Sequence, residues 1–293
     1  MTKQEVTFEE VVERGCGLDV HKKKIVATVE GTGISKETRT YKSTTRSLTE
    51  LKEWLLGLGV THIAMESTGV YWKPVMNILE PGGFTVLVVN ARHIKYVPGY
   101  KTDRKDSAWI CRLLRAGLLK GSFVPEQSQR DLRDLTRYRR KPVQNLSAEH
   151  NRLIRLFEDA SLKLSSVFSD VTGKTCTSVI DSVMDGNTDP EYLVSLCTHW
   201  RLKSTQDEIA QAVEGKFRDH HKFMLQAIRR SMHNLTDEIQ HINDEITRRM
   251  QPFEEEISRL CQIPGINKIS ARDLPAEIGV DMEVFPSAAH LAS

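Results

Sequence analysis

Apolar residues in the first third of the chain come in short clusters whose spacing changes from one cluster to the next. GCGLDVHKKKIVATVE (15–30) reads as a strand, a short basic turn and a second strand rich in Val and Ile. SKETRTYKS (35–43) alternates weakly and predicts a third, exposed strand. In RSLTELKEWLLGL (46–58), Leu48, Leu51, Trp54, Leu55 and Leu58 share one helical face, closed by Gly59. HIAMES (62–67) predicts a short buried strand, followed by a helix from Val70 to Glu80. PGG (81–83) then turns the chain into FTVLVVN (84–90), an apolar run suited to a strand covered on both faces. Three strands, helix, strand, helix, strand is a mixed α/β order.

Beyond Asp103 the pattern is helical almost to the end. It predicts a helix over 103–117, ended near Gly117, and a long basic helix over 127–160 interrupted by Pro142. Residues 161–200 are rich in Ser, Thr, Asp and Gly and predict short helices, with TGKT and DGNTDP as turns. TGKT lacks the upstream glycine of a phosphate-binding loop. Leu225, Ile228, Met232, Leu235, Ile239, Ile242 and Ile246 alternate spacings of three and four, a heptad seam. A seam this narrow favours a coiled coil, either between chains or with another helix of this one, over an ordinary amphipathic helix with its wider stripe. LCQIPGI (260–266) reads as helix end, tight turn and restart, with a second helix over Ile269–Ile278. Such a hairpin either offers backbone N–H groups to a DNA phosphate or is a plain packing unit.

Composition narrows the classes. Of 293 residues, 39% are hydrophobic and 27% charged, which suits a folded core and not a disordered chain. No run of 18 apolar residues exists, so no membrane-spanning helix is expected. The amino end, MTKQEVTFEEVVERG, lacks the basic-then-apolar order of a signal peptide. Five scattered cysteines without a CxxC pair argue against a disulfide framework or zinc site and for a reducing, intracellular compartment. The net charge of +2 hides an asymmetry: from Arg92 to Arg155, sixteen Lys and Arg face six Asp and Glu, a local +10 that leaves −8 elsewhere. That stretch is either a polyanion-binding surface or a solvated, Arg-rich helix face.

Four carboxylates stand out by position. Asp19 interrupts the apolar first strand, and Glu66 ends the buried strand HIAMES. Asp103 and Asp106, in KTDRKDS, are three residues apart and share a face at a helix start. Singly, each has an ordinary explanation as a helix cap, a first-turn acid or a solvated strand end. Together they form a set of hard oxygen donors suited to Mg²⁺, which can hold a phosphodiester. His21 follows Asp19 by two residues and so points to the same side, either to position a phosphate or to make a structural hydrogen bond. Tyr71, Trp72, Tyr96 and Tyr100 are candidates for stacking on bases, whereas Trp109 is expected in the core.

GLDVHKKKIVATV, MESTGVYWKPVMNIL and VVNARHIKYVPGYKTDRKDSAWICRLLRAGLL resemble the three amino-terminal blocks of the DEDD-type insertion-sequence transposases. That family is related to pilin-gene invertases and includes members guided by a bridge RNA. SLKLSSVFSDVTGKT, the heptad seam and LCQIPGINKISARDLPAEIG extend the similarity over nearly the whole chain. The resemblance implies a RuvC-like, ribonuclease H-type α/β domain followed by all-α regions. It places the family's four acids on Asp19, Glu66, Asp103 and Asp106 as catalytic and metal-binding residues. Two departures stand out: the family usually has leucine or a similar residue at Pro142, and its nucleophilic serine follows a segment beyond FPSAAHLAS. No residue up to Ser293 matches that serine, Ser287 and Ser293 included, so the chain is expected to lack the end of the family's last domain.

The combined expectation is three regions: 1–125, a RuvC-like DEDD domain; 126–252, a helical linker and coiled coil; and 253–293, the start of a helix-hairpin-helix-like carboxy-terminal transposase domain. The function expected is a prokaryotic, cytoplasmic DNA transposase or site-specific recombinase using Mg²⁺. DNA and a structured guide RNA are its expected partners, contacted by Lys101, Arg104, Lys105, Arg137, Arg139 and Arg140. The seam at 225–246 is expected to assemble dimers or tetramers. Two alternatives remain open: a non-catalytic nucleic-acid-binding fragment, and a Holliday-junction-type metal nuclease.

Overall fold

The computed structural model describes residues 11–67, 69–90, 106–187, 189–197, 204–285 and 287–292. The chain divides into two compact units, Met1–Gln127 and Ser128–Ser293. Among the described residues, no helix is long and apolar enough to cross a membrane.

The first unit is built on five strands, β1 (Arg14–Val20), β2 (Lys24–Gly31), β3 (Ile34–Lys42), β4 (His62–Glu66) and β5 (Thr85–Val89), in the order β3-β2-β1-β4-β5. β1, β2 and β3 pair antiparallel, and β4 and β5 join β1 in parallel. The parallel crossovers need helices, supplied by α1 (Thr45–Gly57) and α2 (Trp72–Leu79). Leu48, Leu51 and Leu55 of α1 and Val75, Met76 and Leu79 of α2 bury against Cys16, Leu18, Ile25, Ala27 and Ile63 on one sheet face. The opposite face takes α3 (Asp106–Arg115), whose Ile110 and Leu114 pack with Ala64 and Val89. This mixed five-stranded sheet with helices on both faces is ribonuclease H-like, and an all-helical region follows it.

The second unit is organised by two long helices, α4 (Gln127–Asp159) and α9 (Asp219–Arg249). Tyr138 Oη donates to Glu238 (2.9 Å), Arg139 Nη1 to Asn243 (3.1 Å) and Ser231 Oγ to Glu149 (3.2 Å), so the two helices run antiparallel. The heptad seam of α9 therefore has its partner within the chain. Leu225 and Ile228 enter one core with Leu153, Leu156 and Phe157 of α4, and Ile242 and Ile246 enter another with Leu132 and Leu135. Leu235 and Ile239, between these cores, are half-buried.

The interruption expected at Pro142 does not occur, because α4 runs through it. Pro142 is buried, and the helix continues through it despite the one missing N–H donor.

At the tip of the pair, α5 (Leu164–Val167), α6 (Lys174–Met184), α7 (Pro190–Ser195) and α8 (Gln206–Val213) complete the first of these cores. His221 ties the tip together: its Nδ1 accepts the Arg218 N–H (3.1 Å) and its Nε2 meets Asp159 Oδ2 (2.7 Å). At the base, α10 (Glu254–Cys261) and α11 (Lys268–Ile278) pack Ile257, Ala271 and Ala276 against Leu132, Ile246 and Met250, and a short α12 (Ala288–Ala292) follows.

Candidate active site

Strand register arranges the α3-covered face into rungs, since alternate residues share a face. One rung runs Thr38, Thr28, Gly17, Ala64 and Leu87 across the five strands. The next rung on that face carries Thr40, Val26 and Asp19 on one side and Glu66 and Val89 on the other. Asp19 and Glu66 are thus two residues beyond the paired Gly17 and Ala64, at the carboxyl ends of adjacent parallel strands. Open α/β sheets bind ligands at those ends.

α3 lies directly over the Gly17 rung. A Cβ built on Gly17 would sit 2.1 Å from the Ser107 carbonyl oxygen and 2.3 Å from the Cys111 nitrogen. One turn further, Cys111 Sγ donates to the Gly15 carbonyl (3.3 Å), and Leu114 and Arg115 approach Gly15. The helix axis therefore points its amino terminus, Asp106, toward the rung of Asp19 and Glu66. Three of the four sequence-selected acids come to one end of the sheet at the level of backbone placement. Asp103 lies outside the described residues, as do Lys101, Arg104, Lys105, Tyr96 and Tyr100.

The Asp19 carboxylate is mostly buried, and its Oδ2 lies 3.0 Å from the Nε2 of His21, which is half-exposed. His21 thereby makes the structural hydrogen bond, and it fixes one carboxylate oxygen while leaving the other. Among the described residues, no group of three or more His, Cys, Asp or Glu side chains is arranged to hold a metal ion. Asp19 and Glu66 alone supply two hard oxygen donors on neighbouring strands, a donor chemistry that fits Mg²⁺ and its retained waters. Tyr71 is exposed, while Trp72 is half-buried. Trp109, expected in the core, is also only half-buried.

The basic helix α4 divides by environment. Arg139 is buried, forks onto Asp273 (2.9 and 2.8 Å) and also reaches Asn243. Arg137 forks onto Glu277 (2.8 and 2.7 Å), and Arg133 donates to the Glu277 carbonyl. Arg137's hydrogen bonds hold the Glu277 carboxyl below its ordinary value, whereas burial raises that of Asp273 despite the neighbouring arginines. Arg140 is exposed. Part of the +10 stretch is thus neutralised by acids more than 130 residues away in sequence.

Gly17, Thr28 and Ser107 meet at the contact of α3 with the sheet, but Ser107 is far from the other two in sequence. The one available signal is Thr28, a hydroxyl inside the apolar run IVATV.

The mixed sheet and its flanking helices are ribonuclease H-like, and comparison with known families narrows that class. Residues 16–161, about half of the chain, match the family model of IS110-type DEDD transposases, described as a transposase. The match runs from β1 through α4, so this stretch is a transposase domain and the process it implies is DNA transposition, with DNA as a binding partner. Transposases of the DEDD type generally use a divalent metal. No curated protein matches the chain.

Proposed function

We propose that the chain is a metal-dependent DNA recombinase of a prokaryotic insertion sequence, acting in the cytoplasm with a structured guide RNA. Asp19, Glu66, Asp103 and Asp106 are the residues assigned to hold Mg²⁺. The observation that carries this reading is the common rung of Asp19 and Glu66 beneath the start of α3, inside a matched transposase domain. The guide RNA rests on the family resemblance.

Bound Mg²⁺ would polarise a phosphodiester and stabilise charge developing on its oxygens. The chain's own residues supply the rest. Glu66 and Asp19 stand at adjacent strand ends where a phosphate would be held, and His21 restrains the Asp19 rotamer through Oδ2. Arg140, exposed on α4, is suited to backbone phosphate, as are Lys101, Arg104 and Lys105 on the chain leading into α3. Arg137 reaches a phosphate only by giving up Glu277, and Arg139 serves the fold. Covalent strand exchange also requires a nucleophile, and no residue of this chain is assigned that role. The half-buried Leu235 and Ile239 supply the apolar surface for self-association.

The test is Mg²⁺-dependent processing of branched donor and target DNA by the chain with RNA supplied. Loss in Asp19→Ala and Glu66→Ala, with DNA binding retained, supports the reading. RNA and DNA binding without any metal-dependent processing would replace it with a binding protein, and water-mediated cleavage without joining would favour a nuclease.

A further inference from the structure

Three hydroxyls form a chain across the α3-covered face of the first unit. Thr28 Oγ1 on β2 lies 2.9 Å from Thr38 Oγ1 on β3 and 2.8 Å from Ser107 Oγ at the start of α3. Thr28 is fully buried and Ser107 is 1% exposed. Thr38, on the edge strand, is exposed. All three belong to or touch the rung immediately before that of Asp19 and Glu66.

Burial alone does not ask for this arrangement. Valine at 28 and alanine at 107 would fill similar space without polar atoms to satisfy, since a buried hydroxyl costs free energy unless it is bonded. Apolar contact is non-directional, whereas a hydrogen bond of 2.8 Å fixes both the slide and the rotation of a helix on a sheet. Gly17, with Ser107 O and Cys111 N pressed onto its α-carbon, sets the height of that helix. The hydroxyl chain fixes the remaining two directions.

We propose that Thr28 and Ser107 are positioning residues of the metal site: they lock the first turn of α3, and with it Asp106, at the level of Asp19 and Glu66. The inference rests on the assignment of those acids to Mg²⁺ and deepens it. Ser107 adjoins Asp106 in sequence, so freedom in its bond to the sheet passes directly to the helix terminus. Thr28 Oγ1 lies within hydrogen-bonding distance of both other hydroxyls, which makes the lock continuous from β3 to α3.

The experiment is calorimetric titration of the full chain with Mg²⁺ in the absence of DNA, for wild type, Thr28→Val, Ser107→Ala, Thr28→Ser and Asp19→Ala, with melting curves alongside. The clamp predicts that Thr28→Val and Ser107→Ala each weaken Mg²⁺ about tenfold, as loss of supporting hydrogen bonds around metal ligands commonly does. Thr28→Ser restores wild-type affinity, since it keeps the hydroxyl. Folded Thr28→Val and Ser107→Ala proteins with wild-type Mg²⁺ affinity would overturn the clamp while leaving the acid site standing, provided Asp19→Ala abolishes binding. Unchanged Mg²⁺ affinity in Asp19→Ala would overturn the acid site and the clamp with it. Failure of Thr28→Ser to rescue would show that packing, not the hydroxyl, matters.

Discussion

Gly17→Ala is the smallest change that separates the height of α3 from its chemistry. The added methyl would stand 2.1 Å from one backbone atom of α3 and 2.3 Å from another, and neither can rotate away. To reach even a tight 3.0 Å contact, α3 must retreat by about 1 Å. A retreat of that size stretches the 2.8 Å Thr28–Ser107 bond beyond hydrogen-bonding range. Overpacking of this kind costs about 1–3 kcal/mol, which lowers the melting temperature without unfolding the unit at 25 °C. Activity suffers more, because a displacement of ~1 Å at a catalytic group costs on the order of 100-fold. The assay is Mg²⁺-dependent processing of branched DNA at saturating substrate, with melting followed by circular dichroism. Gly57→Ala, at the exposed end of α1 with nothing within 4 Å of the new methyl, is the matched control and should be neutral or stabilising by about 0.5 kcal/mol. A folded Gly17→Ala protein within twofold of wild-type activity would refute the reasoning.

Other consequences lie in the second unit. Arg139→Ala strands Asp273 in a largely buried site and should destabilise the protein by about 3 kcal/mol in urea denaturation; Arg140→Ala should change stability by less than ~0.5 kcal/mol yet lower the salt dependence of DNA binding by about one unit of slope. Equal destabilisation by the two would contradict the division of roles along α4. Arg248 and then Arg249 hold Glu245 down at about 2, and Arg137 holds Glu277 below its ordinary value. Both are depressed carboxyls, so their stabilisation is complete above the ordinary 4.5 and is lost as pH falls through their lower native values. Melting temperature should therefore drop from pH 5 toward pH 2, and a flat profile there would count against these pairs. Leu235→Glu combined with Ile239→Glu should reduce the mass seen by light scattering while leaving helicity intact; an unchanged mass would remove the α9 seam from self-association.

The first unit was largely legible in the sequence because its signals are local. The alternation of Cys16, Leu18 and Val20, the stripe of Leu48, Leu51 and Leu55, and the valine run at 85–89 each name one element and one buried face. Asp19 and Glu66 were visible for the same reason, as charges where a buried strand should have none. The clamp was not visible, because Thr28 and Ser107 are 79 residues apart and nothing local joins them.

Along α4 the failure has a different cause. Leu132, Leu135, Arg139, Pro142, Leu146, Glu149, Leu153 and Leu156 alternate spacings of three and four, the same rhythm as α9. Arg139, Pro142 and Glu149 break the apolar pattern, so the partner of the α9 seam went unseen in its own chain. Arg139 is satisfied by the distant Asp273 and Asn243, and Glu149 by Ser231 as well as by Arg152 on its own helix. The helix α8 could have been found: Thr205 and Glu208 form a capping box, which is readable as T-x-x-E.

The central claim is that Asp19 and Glu66 share one divalent cation at the end of the sheet. Its most direct test is a crystal structure of the chain soaked with Mn²⁺ in place of Mg²⁺, with anomalous data collected near the manganese edge. The expected result is an anomalous peak at the Asp19 and Glu66 carboxylates that disappears in Asp19→Ala. Manganese bound elsewhere, with no peak between Asp19 and Glu66, would contradict it.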